Sequence, residues 1–456
     1  MEERIMEILK AIDDIVWGLP LIVLLVGTGV FLTLRLVFIQ FRMLPYAMRL
    51  AFGFKQDKES KGDISHYQAL TTALAATVGT GNIAGVASAI FAGGPGALFW
   101  MWMSAVFGMA TKYAEALLAV KYRIVDKKGQ MAGGPMYYIE RGLGWKWLGV
   151  LFAIFGAIAA FGIGNLVQAN SIAEVTHADF NIPYWVVGLI LMLFIGLVIL
   201  GGIKSIGRVT AFFVPIMAIF YTVGGLIVIF GNLEMVPEAF RLIFQDAFTG
   251  SAVAGGILGE TIRQGVARGL FSNEAGLGSA PIAAAAAKTD YPARQALVSM
   301  TQVFIDTIII CTVTGLVIIM SGLYDTAGLK GAQLTSASFV NFIGTTGAYL
   351  VTIGLIFFAS STIIGWAYYG EKCFQYLFSS QRAIQVYRTF FVLVVFVGSV
   401  VKIDLVWTLA DIMNGLMAFP NLIGLIGLSG VVALETKKFM EVREQERIAD
   451  RLSRQA

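Results

Sequence analysis

Histidine and cysteine are nearly absent from this sequence, with two of each in 456 residues. Cys311 and Cys373 lie in or beside long apolar runs, so we expect no disulfide framework. His66 and His177 occupy loop-like positions and leave too few ligands for a histidine metal centre. HExxH and GxSxG motifs are also missing. We therefore expect the chain not to be an enzyme and to carry no organic cofactor.

Charged residues are scarce as well, at 14% of the chain, whereas 57% of it is hydrophobic. The mean hydropathy is +0.77, and apolar runs repeatedly reach the roughly 20 residues that span a bilayer. The N-terminus reads MEERIMEILK, without a basic n-region or a small-residue cleavage site, so the run from Val16 is expected to be a retained span. The composition predicts an all-α polytopic membrane protein whose surroundings are the lipid bilayer, with no nucleic acid and no obligate protein partner.

Eleven apolar stretches are long enough to be transmembrane helices. They lie near residues 15–40, 67–91, 97–121, 147–176, 183–203, 207–231, 256–287, 293–322, 346–378, 384–400 and 404–435. Pro420 divides the last stretch, and two shorter helices there would raise the total to twelve.

Basic residues concentrate in alternate loops, after the first, third and fifth spans, and again in the tail from Lys437 to Arg454. By the positive-inside rule these loops and the tail are cytoplasmic. This orientation requires one kinked helix across Pro420 and places the N-terminus outside and the C-terminus inside the cell membrane. The final charged stretch, VREQERIADRLSRQ, is expected to be a solvated helix on the cytoplasmic surface, and a partner-docking role is the alternative.

Two of the spans are interrupted in the middle by glycine and polar residues. TVGTGNIAG occupies 77–85, and FSNEAGLGSAP occupies 271–281. Each glycine costs a helix about 1 kcal/mol relative to alanine, and free backbone in a membrane is tolerated only where it is buried in protein or lines a cavity. An unwound span has one half-helix that ends in bare carbonyls, which suit a small cation, and one that begins with bare N–H groups, which suit a carboxylate.

The two breaks fall in the first and sixth helices when counting starts at the span near residue 67. Interrupted helices at corresponding places in two five-helix halves indicate an inverted-repeat transporter with a site at the membrane midplane. The expected division is an extra N-terminal helix and cytoplasmic loop at 1–66, a first repeat at 67–231, an extracellular connection at 232–255, a second repeat at 256–435 and a basic cytoplasmic tail at 436–456.

Other interpretations of the first break remain open from the residues alone. TVGTG at Thr77–Gly81 is close to the TVGYG filter of potassium channels, although such filters sit in short subunits around a fourfold axis. Its glycines can also serve only to let helices pack closely. The polar side chains within the cluster favour a binding site over simple packing.

Several long motifs resemble the alanine or glycine:cation symporter family, also called sodium:alanine symporters. They are ALAATVGTGNIAGVA, GGPGALFWMW, MATKYAEALLAVKYR, MAGGPMYYIERGLG and FSNEAGLGSAPIAAAAAKTDYPARQALVSM. The resemblance runs from about Gly18 to Lys437. It implies a leucine-transporter-like fold and import of small neutral amino acids, above all alanine and glycine, with sodium as the coupling ion.

The resemblance also implies where the two ends of the amino acid bind. The backbone around Gly79, with N–H groups of Thr80, Gly81 and Asn82, suits the carboxylate. The ammonium group is expected at carbonyls of the second break, which are those of Phe271, Ser272 and Asn273. Glu274 either holds the unwound segment by accepting backbone N–H groups, which we favour, or joins the pocket or a proton path.

Sodium is expected where the first half-helix ends, by similarity to the leucine-transporter class. The carbonyls of Ala75 and Val78 supply oxygen ligands without a buried formal charge. The segment FFASSTIIGW completes the site with Ala359, Ser360 and Thr362, while Ser361 is a further hydroxyl candidate. Because the residue after Thr362 is the apolar Ile363, the choice among these hydroxyls stays open.

Two further helices are expected to contribute to the pocket. Asn165 and Gln168 lie three apart on one helix face, so at least one of them reaches the substrate or both join helices together. Trp366 and Tyr369, with Phe271 opposite, are expected to limit the size of the substrate side chain. Sodium versus proton coupling, and the roles of the buried or flanking charges Asp306, Asp411, Arg263 and Arg268, are left open by the sequence.

Overall fold

The computed structural model describes residues 2–53, 60–248, 259–325, 328–401 and 404–455. Helices dominate it, and the strands of the described residues, β1 (Ile124–Val125) and β2 (Met131–Ala132), form one antiparallel pair. Part of the predicted 232–255 connection and the first residues of the predicted second repeat lie outside the described residues.

The helices up to residue 231 include both spans and surface helices. They are α1 (Glu2–Val16), α2 (Leu19–Arg35), α3 (Ile39–Phe52), α4 (His66–Thr77), α5 (Val86–Gly93), α6 (Gly96–Lys121), α7 (Pro135–Tyr138), α8 (Lys146–Phe161), α9 (Val167–Phe180), α10 (Tyr184–Leu200) and α11 (Gly202–Gly231). Wider π-helical turns lead into α5 at Gly81–Gly85, follow α7 at Ile139–Leu143 and join α8 to α9 at Gly162–Leu166.

The remaining helices follow the same pattern. They are α12 (Val236–Ala247), α13 (Glu260–Asn273), α14 (Pro281–Ala284), α15 (Pro292–Val303), α16 (Thr312–Ser321), α17 (Gly331–Ile343), α18 (Thr345–Leu377), α19 (Gln381–Val400), α20 (Asp404–Gly427) and α21 (Ser429–Gln455). A π-helical segment at Phe304–Cys311 joins α15 to α16, and short 3-10 turns lie at Leu233–Met235 and Leu323–Asp325.

Several helices of the described chain are long and apolar enough to cross a membrane. They are Met6–Arg35, Lys146–Phe180, Gly202–Gly231, Pro292–Ser321, Thr345–Leu377, Gln381–Val400 and Thr408–Gly427, and the pair His66–Thr77 with Gly81–Gly93, bent by 54°, is a further broken span. The protein is therefore a multi-pass membrane protein. The stretches predicted at 97–121 and 183–203 are largely helical without meeting both criteria, and the stretch at 256–287 is described only from residue 259 and is interrupted between Asn273 and Pro281, so the count of eleven is unconfirmed.

The first 66 residues contain more helix than the sequence pattern predicts. The span predicted at 15–40 is preceded by α1 and ends at Arg35, because Val37 and Phe38 both adopt left-handed backbone with φ of 54°. Part of the predicted cytoplasmic loop is the amphipathic helix α3, whose buried face packs on α15.

The C-terminal region differs from its prediction in length and in packing. Pro420 lies inside α20, which ends at Gly427 and not near residue 435. The tail helix α21 is docked and not simply solvated. Glu435 pairs with Lys121 of α6 at 2.9 Å, and Glu446 pairs with Arg294 of α15 at 2.5 Å.

The long helices α6 and α18 flank the two broken spans. Helices α13 and α15 pack on α6, while α18 packs on α4, α8 and α9. The approach of α18 to α4 depends on Gly365, where an added Cβ would lie only 2.6 Å from the Cβ of Ala76. A glycine is needed there because any side chain would collide with α4.

Candidate functional site

The first break is a sharp turn between α4 and the π-helical turn that precedes α5. Helix α4 begins with a capping box, in which Ser65 and Gln68 each accept the backbone N–H of the other at 3.0 Å, and it ends at Thr77. The backbone N–H of Gly79 donates to Oδ1 of Asn82 at 2.9 Å, and the N–H of Asn82 donates to the carbonyl of Gly79 at 3.2 Å. Two hydrogen bonds between Gly79 and Asn82 therefore stabilise the turn.

The turn does not have the geometry of a channel filter. Thr80 has helical backbone, with φ −58° and ψ −26°, and Gly81 already belongs to the next helical turn. A filter needs successive carbonyls in a ring around a shared axis. The TVGTG segment is instead a helix interruption within a single chain.

The second break follows α13 and uses left-handed backbone at three positions. Glu274, Gly276 and Gly278 have φ of 55°, 91° and 85°. Glycine adopts this conformation without steric cost, which explains the two glycines, and Pro281 then starts α14 with its fixed φ.

A buried acid from α6 holds this second break together. Oε1 of Glu115 accepts the backbone N–H groups of Gly276 and Gly278 at 3.1 Å each and the side-chain amide of Asn421 at 2.6 Å. The Nζ of Lys112 lies 3.8 Å from Oε2 of Glu115 and donates to the carbonyl of Glu274 at 2.9 Å. The Lys112–Glu115 pair therefore sits behind the unwound segment and binds its backbone.

Glu274 has a different role from the favoured prediction that it accepts backbone N–H groups. Its carboxylate accepts the hydroxyl of Ser279 at 2.5 Å and the indole N–H of Trp366 at 3.0 Å. Its side chain reaches Trp366 of α18, while Glu115 accepts the backbone N–H groups of the break. Glu274 thereby fixes the orientation of Trp366 and also lines the central cavity.

The central cavity lies between the two breaks. Eight of the predicted substrate or sodium residues line it, namely Gly79, Thr80, Gly81, Gln168, Phe271, Glu274, Thr362 and Trp366. Four lining residues were not predicted, namely Ala76, Thr77, Ile163 and Asn414.

Gln168 and Trp366 form walls of this cavity. Gln168 faces the first break, where its Oε1 lies 3.4 Å from the backbone nitrogen of Thr80 and its amide donates to the Thr80 hydroxyl at 3.2 Å. Trp366 packs against Gly164, where an added Cβ would overlap its side chain. The indole is thus held between a glycine on one side and the Glu274 carboxylate on the other.

Four predicted substrate residues do not line the cavity. Asn165 donates to the carbonyl of Phe391 at 2.7 Å and joins α19 to the turn between α8 and α9. Asn273 bonds to Thr307 through its side chain at 3.2 Å, and its carbonyl accepts from Gln302 at 3.1 Å. Of the pair on one helix face, Gln168 therefore reaches the cavity and Asn165 joins helices.

The other two, Ser272 and Asn82, meet at a buried carboxylate behind the cavity. Asp306 accepts the Ser272 hydroxyl at 2.9 Å, the Asn82 amide at 2.8 Å and the Thr307 hydroxyl at 2.8 Å. Because Asn82 belongs to the first break and Ser272 to the second, Asp306 links the two breaks. In the structure Asp306 therefore joins helices, which is one of the two roles that the sequence left open.

The end of α4 meets the hydroxyls of α18. The Ser361 hydroxyl lies 3.1 Å from the carbonyl of Ala75, and the Thr362 hydroxyl lies 3.4 Å from the carbonyl of Val78. Both hydroxyls also reach the carbonyl of Phe358, at 2.8 and 3.0 Å. Carbonyl and hydroxyl oxygens gathered in this way are ligands that a hard cation prefers.

The hydroxyl assignment from the sequence changes in one respect. Ser361, and not Ser360, touches the end of α4, because a helix turns 100° per residue and points neighbouring side chains in different directions. Ala359 lies on the same helix without a hydrogen bond to α4 in the described residues. The candidate cation site is thus Ala75, Val78, Ser361 and Thr362.

Some of these residues carried no readable signal in the sequence. Ala76 and Ile163 are ordinary apolar residues, and Asn414 lies in an apolar span that also contains Asp411. Asn414 could have been noticed only as a polar residue in the middle of a span. In the structure its buried Oδ1 has no hydrogen-bond partner.

Comparison with known proteins shows which family the chain resembles. A family model described as the sodium:alanine symporter family matches residues 2–452. The sodium/alanine symporter AgcS of Methanococcus maripaludis is 58% identical over 446 residues, covering 96% of this chain and 98% of AgcS. The probable sodium/glutamine symporter GlnT of Bacillus subtilis is 40% identical over 439 residues, covering 96% of this chain and 91% of GlnT.

A solved structure has the same fold. MhsT in complex with L-phenylalanine superposes with a TM-score of 0.62 at 14% identity, covering 83% of this chain and 93% of MhsT. At this identity the likeness concerns the fold alone, which is of the leucine-transporter type with two broken helices.

Proposed function

The chain belongs to the sodium:alanine symporter family and is a sodium-coupled amino-acid symporter, and we propose that it imports alanine and glycine. The central cavity supports the choice of small substrates. Its walls include the ring of Phe271 and the indole of Trp366, which a hydrogen bond to Glu274 holds in place. A side chain much larger than a methyl group would have to displace Trp366 from its hydrogen bond.

The two charged ends of the amino acid are proposed to bind at the two breaks. The carboxylate binds the N–H groups of Thr80 and Gly81, where a half-helix begins and the backbone dipole is positive. Asn82 is less suited than the sequence suggested, since its N–H already donates to Gly79. The N–H of Thr80 points to Oε1 of Gln168 at 3.4 Å, so a bound carboxylate would take the place of this longer hydrogen bond. The ammonium group binds carbonyls at the end of α13, with Phe271 and Ser272 favoured because the Asn273 carbonyl accepts from Gln302.

Sodium is proposed to bind between α4 and α18. Its oxygen ligands are the carbonyls of Ala75 and Val78 and the hydroxyls of Ser361 and Thr362, which already lie in contact. Binding there joins the first broken span to α18, and this couples the ion to the conformation of the substrate turn.

Transport is proposed to follow alternating access in the cell membrane, with the N-terminus outside and the C-terminus inside. The repeats are assigned as 67–231 and 256–435, and the central cavity lies between their broken helices. Each elementary charge that crosses 100 mV supplies about 2.3 kcal/mol, so one sodium can drive accumulation of a neutral zwitterion.

Proton coupling is the second candidate, and it is favoured by the position of Glu274. This buried carboxylate lines the same cavity as the proposed substrate groups. An intramembrane acid in contact with a substrate path is a natural proton carrier.

The test is uptake of radiolabelled alanine into liposomes that contain the purified protein. Three conditions are compared, which are an imposed sodium gradient, an imposed proton gradient and neither. Unlabelled glycine and glutamine serve as competitors, since a relative is named as a probable glutamine symporter. Accumulation driven by sodium and blocked by glycine supports the proposal, whereas proton-driven accumulation assigns the coupling to Glu274. Competition by glutamine as strong as by glycine contradicts the size limit.

A further inference from the structure

A groove runs along the outside of the protein between α2 and α20, which pack on each other. Its walls include the apolar side chains of Pro20, Val23, Leu24 and Phe31 from α2 and Ile426 from α20, and the buried Thr28 adds one hydroxyl. Val23, Phe31 and Ile426 are exposed on the protein surface. Both helices belong to membrane spans, so the groove opens toward the acyl chains of the bilayer. We call it the α2 groove.

The groove residues of α2 share one face of the helix, and an arginine continues that face. Leu24 lies four residues after Pro20, Phe31 seven residues after Leu24, and Arg35 four residues after Phe31. From Pro20 to Phe31 the helix rises about 16 Å, close to the roughly 15 Å of hydrocarbon in one leaflet. The groove therefore has the length of an acyl chain, with a positive charge at one end.

The guanidinium of Arg35 closes this end of the groove. It lies 5.7 Å from the centre of the Phe31 ring, and its Nε donates to the carbonyl of Ser429 at 3.2 Å, just beyond the end of α20. Arg35 is exposed and, within the described residues, forms no ion pair with an acid. Its remaining N–H donors are free to bind an anion, and their geometry matches phosphate oxygens.

The backbone corner after Arg35 adds a second arginine among apolar side chains. Val37, Phe38 and Phe41 are exposed, and Nη1 of Arg42 donates to the carbonyl of Val37 at 3.2 Å. Exposed aromatic rings beside arginines are typical of a segment at the membrane interface, where the rings lie among acyl chains and the guanidinium groups reach the headgroups. The corner thus holds two positive charges at the level of the lipid phosphates.

We propose that the α2 groove is a binding site for one anionic phospholipid. One acyl chain lies in the groove against Phe31 and Ile426, and the phosphate binds the guanidinium groups of Arg35 and Arg42. Under the proposed orientation this lipid belongs to the cytoplasmic leaflet. The site is separate from the central cavity and does not depend on which amino acid is transported.

The combination of an apolar groove and two arginines selects this ligand over others. An uncharged apolar molecule fills the groove but leaves the guanidinium groups without a counter-charge. Inorganic phosphate binds the guanidinium groups but leaves the groove empty. In phosphatidylcholine the positive choline group offsets the phosphate charge, so a lipid with a net negative charge is favoured.

The experiment is photo-cross-linking of the purified full-length protein in phosphatidylcholine liposomes. Two trace probes are compared, phosphatidylglycerol and phosphatidylcholine, each with a diazirine on one acyl chain, and mass spectrometry locates the label. Label is expected on the groove residues of α2 and on Ile426, several-fold more from the phosphatidylglycerol probe. Equal label from the two probes overturns the anionic headgroup, and absence of label from the groove overturns the site.

Variants of Arg35 test the headgroup contact. Arg35→Gln is expected to lower the ratio of phosphatidylglycerol to phosphatidylcholine label about fivefold, the effect of one basic residue at an anionic lipid. Arg35→Lys keeps the charge and is expected to retain most of the ratio, which separates loss of charge from loss of folding. Arg49→Gln is the matched control, because Arg49 is exposed on α3 and does not line the groove. An equal fall in Arg49→Gln and Arg35→Gln contradicts a defined site.

A variant that fills the groove tests the chain contact. Val23→Trp is expected to reduce label on Ile426 several-fold from both probes. Leu193→Trp is its control, because Leu193 on α10 is 57% exposed against 52% for Val23. Unchanged label in Val23→Trp overturns the position of the chain. Displacement of the probe by oleate as effectively as by unlabelled phosphatidylglycerol assigns the groove to a free fatty acid and overturns the phospholipid.

Discussion

At the scale of single residues, the site is organised by buried side chains that hold the unwound backbone. Glu115 accepts three donors around the second break, Asp306 accepts three around the contact between the breaks, and Glu274 orients Trp366. The cavity walls are thus fixed before any ligand binds. Fixed dipoles bind a zwitterion well, because no reorganisation has to accompany binding.

Trp366 is predicted to set the upper limit on substrate size. In Trp366→Ala the space of the indole becomes available, so the inhibition constant of leucine against alanine uptake should fall about tenfold, within the range a hydrophobic pocket discriminates. Competition in proteoliposomes measures it. Trp185→Ala is the control, because Trp185 is exposed at the start of α10. Exclusion of leucine by both variants would mean that another wall limits size.

Ser361 is predicted to be a sodium ligand, while Ser360 is not. Ser361→Ala removes an oxygen that touches the Ala75 carbonyl, so the sodium concentration for half-maximal uptake should rise about tenfold, as for loss of roughly 1.4 kcal/mol. The neighbouring variant Ser360→Ala should leave it nearly unchanged. A larger effect of Ser360→Ala than of Ser361→Ala would support the assignment of Ser360 that was made from the sequence.

Glu115 is predicted to be a stability residue of the second break. Glu115→Gln replaces a charged acceptor by an amide and leaves Lys112 without its buried partner, so unfolding should become easier by about 3 kcal/mol. Thermal unfolding in detergent measures the change. Glu441→Gln on the exposed face of α21 is the control. Equal melting temperatures for the two variants would contradict this role.

At the scale of helices, the spacing between α4 and α18 decides whether the cation oxygens meet. Gly365→Ala places a methyl group 2.6 Å from the Cβ of Ala76, so the helices must separate. We expect weaker sodium dependence of uptake together with lower thermal stability. Gly27→Ala is the matched control, since nothing lies within 4 Å of an added Cβ there. Normal sodium dependence in Gly365→Ala would show that the site tolerates a wider gap.

The helices that the sequence predicted well are those with an uninterrupted apolar run or a glycine-rich break. Both breaks lie where the glycines were expected to interrupt a helix. Gly276 and Gly278 adopt positive φ at the second break, whereas at the first an added Cβ on Gly79 would lie 2.5 Å from Oγ1 of Thr362. Helices α3 and α17 were not predicted, because the prediction followed apolar runs of about 20 residues and these helices have 14 and 13 residues. Of the substrate residues predicted on the breaks, five line the central cavity, whereas Asn82, Ser272 and Asn273 do not.

Contacts between distant elements were not predictable. The choice of Ser361 over Ser360 depends on the rotation of α18, and the choice of Glu115 over Glu274 depends on the register of α6 against the break. The local sequence determines neither the rotation nor the register of a helix, because both depend on side-chain packing between helices.

At the scale of the whole molecule, orientation follows from the distribution of basic residues and can be tested by labelling. Cys311 and Cys373 are both buried, so the background of reaction is low. We expect a membrane-impermeant maleimide to label Lys330→Cys, but not Lys437→Cys, in intact cells. Both positions are exposed on the protein. Labelling of the second variant alone would reverse the predicted orientation.

The docked helix α21 has a consequence for how distant parts of the molecule are joined. Its contacts reach α6 through Lys121, α15 through Arg294 and α3 through Tyr46, whose ring lies 4.3 Å from the Arg443 guanidinium. These partners belong to both predicted repeats and to the N-terminal region that precedes them. Helix α21 therefore links three regions that lie far apart in the sequence, and removing the residues from Ser429 onward would remove these links.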